Sequence, residues 1–388
     1  MTLAPTRFVN AHSVVQRLGE RAARLGPLYF VGDDAADAAA EALSHVSARD
    51  REKMLGPCLK DPDVAGPVPE AVRAFCRGLH EVPFWVDFPR AGRGGSALLR
   101  TGLFGGIVLA FRSLVLGYCS PAGNKPLVFS GRLKENAARR VTETGRFVQA
   151  VSMPDGMRPG RAGFVATARV RLMHAQVRRL LQVSPKWDRE AWGVPINQVD
   201  MSATVTLFSL VVIDGLRMLG VPFRDEEAED LLHLWRWTGR VMGVRDELLP
   251  TGMQDARVLW DMIEATEGAP DSDSADLAHA LLDSAVSAAL TPEDAARAKR
   301  FGPVAYGLSR FLIGDKRADA LGYPKSVFRH LAPAFRTLVT TTGTWVRRIP
   351  GADRVMLDAG LAYWQRSVQL TLSPHEAEFP MPEQVRHA

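Results

Sequence analysis

Cysteine is scarce in this chain. Its 388 residues hold three, Cys58, Cys76 and Cys119, and no two share a C-x-x-C spacing. That argues against a zinc site, a cysteine-held iron–sulfur cluster and a disulfide framework, and no C-x-x-C-H offers covalent haem attachment. Charge of one sign is never concentrated. The formal net charge is +5, and no block of Lys/Arg interleaved with aromatics occurs, so nucleic acid is not an expected partner. The first residues, MTLAPTRFVNAHSVVQRL, show neither an apolar signal core nor a twin-arginine signal, and the expected location is cytoplasmic. Long apolar runs are missing too. The most apolar stretch, Ala97 to Cys119, carries Arg100 and Arg112, whereas an uninterrupted span needs about 20 apolar residues. It reads as a buried helix without stable membrane insertion. Gly102, Gly105 and Gly106 within it would let another helix or a flat ligand approach closely.

Alternating β patterns are almost absent; 127–131 and 166–170 are the short candidates. No internal repeat and no sustained heptad register is found. What remains is helical periodicity over 134–152, 163–183, 200–220, 225–243, 253–267, 273–289 and 292–313. Start signals stand at Asp225-Glu226, Ser272 and Thr291-Pro-Glu-Asp. Pro and Gly clusters punctuate 64–69, 120–126, 154–160, 268–270 and 348–351. The expected fold is all-α, a single large helical domain. It is divided as an N-terminal helical extension over 1–95, a continuous core over 96–345, and a C-terminal helix and tail over 346–388. With 46% hydrophobic residues, a chain of this length can enclose a bulky ligand.

Two polar constellations carry chemistry. His174 lies in ARVRLMHAQVRR, with Arg171 and Arg178 at i−3 and i+4 on the same helix face. A rigid helix can present a neutral imidazole to a haem iron, and basic neighbours can pair with propionates. A core histidine flanked by snorkelling arginines fits the same spacing. Upstream, in Arg140-Val-Thr-Glu143-Thr144, Arg140 and Thr144 share a face at i, i+4. A guanidinium and a hydroxyl aimed at one point can hold dioxygen or a polar intermediate; a solvated arginine face is the plainer alternative. Asp33-Asp34-Ala-Ala-Asp37 spells a DDxxD that could hold Mg²⁺ against a diphosphate, or else begin a helix. Asn197 and Gln198 follow Pro195 as helix caps or pocket lining. Trp235 and Trp237 cannot share one side of a helix, so one belongs to the core and the other to a surface. His233 reads as a packing residue.

The order of these motifs resembles the latex-clearing protein (rubber oxygenase) and MpaB-type oxygenase family. The shared elements are Arg140-x-x-x-Thr144, the thirty-residue step to His174, and Trp192-Gly-Val-Pro195-Ile-Asn197-Gln198-x-Asp200. Thr204-x-x-x-Phe208-Ser209 and His233-Leu-Trp235-Arg236-x-x-Gly239-x-x-x-Gly243-Val continue it, and the likeness covers about 120–345. The resemblance implies a globin-like helical core around haem b, with 96–345 as the haem-binding oxygenase core. It implies His174 as the axial ligand of the iron, and Arg140 and Thr144 on the distal side. The implied activity is oxygenation, with dioxygen, of a small apolar alkene or prenyl substrate, including C=C cleavage. The chain departs from the rubber-cleaving pattern at two points. Glu143 stands where a lysine precedes the distal threonine, and Asn124, in the loop Ser120-Pro-Ala-Gly-Asn124-Lys125-Pro, stands at the offset of a proposed carboxylate base. These departures favour a small lipid or natural-product intermediate over rubber, and give Glu143 a candidate catalytic role. Two other readings stay open: a haem protein with a peroxidase-like, sensor or carrier role, and a haem-free prenyl-diphosphate-type enzyme built on the DDxxD.

Overall fold

The structure is a computed structural model that describes residues 4–63, 66–129, 133–284 and 291–369. The N-terminal third contributes α1 (Ala11–Leu18), α2 (Leu25–Leu28), α3 (Asp34–Ser44), α4 (Ala48–Lys60), α5 (Glu70–His80) and α6 (Phe88–Arg100). The middle contributes α7 (Leu103–Val108), α8 (Leu114–Tyr118), α9 (Pro121–Phe129), α10 (Leu133–Ser152), α11 (Ala162–Gln182), α12 (Arg189–Trp192), α13 (Gln198–Phe208), α14 (Leu210–Met218) and α15 (Asp225–Val241). There follow α16 (Met253–Ala265), α17 (Ser272–Leu282), α18 (Pro292–Ile313), α19 (Asp315–Ala320), α20 (Phe328–Val346) and α21 (Ala352–Gln369). No strand occurs among the described residues. Residues 127–129 and 166–170, the strand candidates, are helical. The polar tail after Leu372 lies outside the described residues.

Start signals are realised as side-chain caps. Asp33 accepts from the Ala36 N–H, Asn197 from those of Val199 and Asp200, Asp271 from Ser274 and Thr291 from Asp294. Each satisfies an orphan donor of a first turn. The cap of α17 is thus Asp271, one residue before the expected Ser272. The run 200–220 is not one helix. It breaks at Ser209, whose backbone (φ −112°, ψ −90°) leaves the helical region between α13 and α14.

The core gathers on α15, which is buried over most of its circumference between Asp230 and Val241. Trp235 and Trp237 are both in the core, against the expectation that one would face outward. Trp235 stacks on Phe208 with centroids 5.0 Å apart, and Trp237 donates its indole N–H to the Met157 carbonyl at 2.8 Å. Burial of this extent needs close backbone approach. At Gly94 on α6 a Cβ would overlap the Asp230 backbone of α15, and at Gly95 it would overlap the Ser152 carbonyl of α10.

The apolar stretch from Ala97 bends by 90° between α6 and the α7–α8 segment. Gly102 at φ +50° allows the turn. Its glycine face meets a helix and not a flat ligand: Gly360, Tyr363 and Trp364 of α21 fill the space beside Gly102, Gly105 and Gly106. Gln198–Met218 is long and apolar enough to span a membrane, but most of it is buried inside the fold.

The N-terminal segment is no appendage to the core. α3 packs directly on α11, the helix that carries His174, and α6 runs across the expected boundary at residue 95 to pack along α15.

Candidate active site around His174

α11 is rich in helix-favouring Ala, Leu, Met, Gln and Arg, and it stops before Pro185, which cannot continue a helix. α3, α10 and α15 pack around it. The two arginines flanking His174 meet the carboxylates of the DDxxD. Arg171 Nε and Nη2 donate to Asp33 at 2.6 and 2.8 Å, and its Nη1 donates to the Val241 carbonyl at 3.2 Å. One guanidinium therefore ties α3, α11 and the end of α15 together. Gly243, at φ +92°, leaves room for this pair, because a Cβ there would overlap Asp33. One turn beyond the histidine, Arg178 is fully buried, with Nη1 3.2 Å from Asp37 Oδ1. It lies under Gly32, where a Cβ would come within 3.0 Å of its side chain. Asp33 and Asp37 thus serve as cap and counter-ions to the His174 helix, while Asp34 is exposed. No group of three or more His, Cys, Asp or Glu side chains converges as a metal cage among the described residues.

The two arginines differ in remaining capacity. Every nitrogen of Arg171 has an acceptor, whereas no nitrogen of Arg178 makes a hydrogen bond, the ion pair with Asp37 aside. Burial pushes the Arg178 guanidinium below its usual range, and Asp37 and Asp33 counteract this. Desolvation raises the Asp37 carboxyl despite Arg178 beside it.

His174 is half-buried on α11. Its Nδ1 is buried and has no hydrogen-bond partner. Burial is the main cause that pushes its pKa down to about 4; the charge of Arg178 adds to this, Asp33 opposes, and Arg140 adds again. The imidazole is therefore neutral at pH 7, with lone-pair density free. Buried polar atoms in proteins are nearly always paired.

α10 packs on α11 and brings Arg140 towards His174, with Thr144 one turn further along the same helix. Arg140 lies close enough to bear on the titration of His174 and of Tyr118 at the end of α8. Arg140 and Thr144 are half-buried and make no hydrogen bond or ion pair among the described residues. Glu143 is also half-buried. Burial raises the Tyr118 phenol, which stays neutral, while Arg140 pulls it the other way. Tyr118, Asp33 and Asp37 are the neighbours that sequence reasoning missed. The DDxxD was visible, but nothing local in it pointed across the fold to α11.

Asn124 is not in a loop; it lies within α9. Its side-chain amide donates to the Tyr118 carbonyl at 2.7 Å and to the Ser274 hydroxyl at 3.2 Å. It is a buried brace, and an amide is no base. His233 accepts from the Asp87 N–H at 2.9 Å and meets Trp85 edge-on, a packing role at the start of α6. Gln198 bridges backbone, donating to the Gly32 and Gly243 carbonyls and accepting from the Arg245 N–H. A surface cleft of about 590 Å³ opens between α6 and the start of α15, lined by Arg93, Arg100, Arg224, Glu227 and Asp230. Those charges pair mutually or with near neighbours, and the cleft shares no residue with the His174 region.

Comparison with known proteins follows the same lines. The profile of the family described as "ER-bound oxygenase mpaB/B'/Rubber oxygenase, catalytic domain" matches residues 98–344, more than half of the chain. A rubber oxygenase of Streptomyces sp. (strain K30) is 25% identical over 290 residues, covering 72% of this chain and 67% of that protein. A solved structure of a latex clearing protein in the closed state superposes with a TM-score of 0.72 at 23% identity. It covers 91% of this chain and 94% of the other, and this likeness concerns the fold.

Proposed function

The chain belongs to the mpaB-type and rubber oxygenase catalytic-domain family and is an oxygenase; from this premise we propose that it depends on haem b held by His174 and acts with dioxygen on an apolar alkene, such as a prenyl chain. One observation carries the reading. His174 is a neutral imidazole on a rigid helix, and neither of its ring nitrogens has a hydrogen-bond partner among the described residues, which leaves one free to ligate iron. Haem, when bound, would supply the iron chemistry that activates dioxygen.

The protein's own groups have distinct tasks. Asp33 and Arg171 lock the helix that carries His174, so the ring is held by rigid backbone rather than by a loop. Burial, helped by the charge of Arg178, keeps the imidazole deprotonated, and Arg178 retains donors for a carboxylate such as a propionate. Arg140 and Thr144 supply an unspent guanidinium and hydroxyl to orient a polar oxygen species. Cleaving an alkene with dioxygen breaks the C=C and O–O bonds and places one oxygen atom on each carbon. Two carbonyl groups result, and no external electrons or net protons are needed. No carboxylate stands at Asn124, and this balance does not demand one.

The test uses the purified, haem-loaded protein with a polyprenyl alkene under ¹⁸O₂. The expected products are paired carbonyl fragments, each carrying one labelled oxygen, at one dioxygen consumed per bond. A product with a single oxygen and an intact chain would replace cleavage by mono-oxygenation. Binding of haem without turnover of any alkene would move the protein to the carrier or sensor class.

A further inference from the structure

α17 and α18 are joined through a histidine and a tyrosine. His279 Nδ1 on α17 lies 2.7 Å from the Tyr306 hydroxyl on α18, and His279 Nε2 lies 2.9 Å from the Leu321 carbonyl. A carbonyl only accepts, so Nε2 carries a hydrogen. The Tyr306 oxygen is also 3.3 Å from both carboxylate oxygens of Asp283, just past the end of α17. That is longer than an O–H···O bond prefers, so the phenol directs its one hydrogen to His279 instead. Nδ1 is then the bare, accepting nitrogen of a neutral ring. Asp283 is exposed and stands beside the pair as a negative charge. No other tyrosine of the chain bonds a histidine among the described residues.

Tyr323 lies inward of the pair. Its ring is edge-on to Tyr306 and to His279, with centroids 5.0 and 5.4 Å away. Tyr306 is half-buried and Tyr323 is buried. Both belong to an apolar cluster that also takes in Tyr118, Cys119 and, on α10, Val141, the residue after Arg140. The cluster therefore extends from α10 to the surface beside Asp283.

A phenol held against a base has a definite chemistry. Burial raises the Tyr306 phenol and the charge of Asp283 raises it further, so it keeps its proton at neutral pH. Loss of one electron makes a phenol strongly acidic. The electron therefore leaves more readily where a base already accepts the O–H bond. His279 Nδ1 is such a base, fixed in its tautomer by the Leu321 carbonyl, and Asp283 offsets the positive charge the ring would gain.

We propose that Tyr306 is a redox-active tyrosine, which gives an electron to a one-electron oxidant and its phenolic proton to His279 Nδ1, and so forms a surface outlet for stray oxidising equivalents of the oxygenase. The Tyr306 O–H bond breaks and an N–H bond forms on His279. The tyrosine becomes a neutral phenoxyl radical, the histidine an imidazolium, and the oxidant is reduced by one electron. A thiol or ascorbate returns the electron, and the proton moves back. The oxygenase assignment enters only as the source of the oxidant; the inference does not rest on haem or on His174.

The test uses the full-length protein as purified, flashed with ruthenium tris-bipyridine and persulfate. Phenoxyl absorption is followed in time, and frozen samples are read by electron paramagnetic resonance. Wild type is expected to give a tyrosyl spectrum that forms more slowly in deuterium oxide. Tyr306→Phe should lose most of that spectrum, and Tyr323→Phe should keep it. His279→Gln retains a polar neighbour but no base. It should slow radical formation about 10²-fold, the lower end of what a positioned base contributes. Circular dichroism checks that each variant is folded. A tyrosyl spectrum in Tyr306→Phe equal to that of wild type would overturn the proposal, as would wild-type kinetics in His279→Gln. Under continuous illumination with ascorbate, Tyr306→Phe should accumulate tryptophan and methionine oxidation faster than wild type by mass spectrometry. Equal damage in the two proteins would overturn the outlet role.

Discussion

Two polar regions of this molecule are built on opposite terms. At the junction of α6, α15, α20 and α21, charge closes on itself. Arg347 donates to Glu227 at 2.6 and 3.1 Å, to Asp353 at 3.1 Å and to the Pro222 carbonyl at 2.9 Å, and Arg100 donates to Glu227 at 2.9 Å. The Glu227 carboxylate also accepts from the Arg224 N–H. Around His174, closure stops partway. Arg171 is satisfied, but Nδ1 of His174 and the nitrogens of Arg178 have no hydrogen-bond partner, and Arg140 and Thr144 make none among the described residues. An unmade buried hydrogen bond costs about 1–3 kcal/mol, and a bound ligand would offset that cost at His174 and Arg178. On the proposed reading the first region is architecture and the second is the site.

The comparison can be sharpened by substitution. The largest effect is expected on chemistry. Arg140→Ala and Thr144→Ala should each leave haem content and melting temperature near those of wild type while lowering turnover about 10²–10³-fold, the usual cost of one preorganised donor. Oxygen consumption checks this, and wild-type rates in both variants would return α10 to an ordinary solvated face.

In the closed region the effect should fall on stability. Glu227→Gln leaves Arg347 and Arg100 short of a charged acceptor and should cost about 2 kcal/mol in denaturant melts at pH 7. Its sign with pH is fixed. Burial alone would raise the Glu227 carboxyl, but the hydrogen bonds from Arg347 and the Arg224 N–H and the charges of Arg100 and Arg347 outweigh it and hold it below 4.5. A group depressed in the folded state stabilises fully above its unfolded pKa, and loses that contribution as pH falls through the folded one. Wild type and variant should therefore converge in stability well below pH 4.5. A gap independent of pH would mean that shape, not charge, makes the difference.

The smallest effect belongs to His233. His233→Ala removes the acceptor of the Asp87 N–H and should cost about 1–2 kcal/mol with no loss of haem, as for a closed polar contact. Haem loss in this variant would place a second histidine in the site.

Much of this was legible in the sequence because it is local. Helical periodicity, the caps at Asn197 and Thr291, and the shared faces of Arg140/Thr144 and Arg171/His174/Arg178 all follow from spacing along one helix. What was illegible is non-local. Asp33 meets Arg171 across 138 residues, and nothing in either segment announces the other, so the DDxxD read as a helix start or a metal site and not as a partner of α11. Burial of both Trp235 and Trp237 depends on helices closing around α15 from several sides, made possible by Gly94 and by Gly239, which packs on Val205 and Leu249. The break at Ser209 is set by packing in an unbroken apolar run. The unpaired state of His174 Nδ1 cannot be read from sequence at all, because it is a statement about what surrounds it.

The central claim is that His174 lies at the open end of a partly closed polar network, and that haem completes it. The direct measurement is a haemin titration of the purified protein, followed by its visible spectrum, for wild type, His174→Ala and His233→Ala side by side. The account predicts saturable binding of one haem per chain with a sharp Soret band in wild type and His233→Ala. In His174→Ala it predicts lost binding or a clearly shifted spectrum, with helical content preserved. Identical spectra and stoichiometry in all three proteins, or a wild type that takes up no haem, would contradict it.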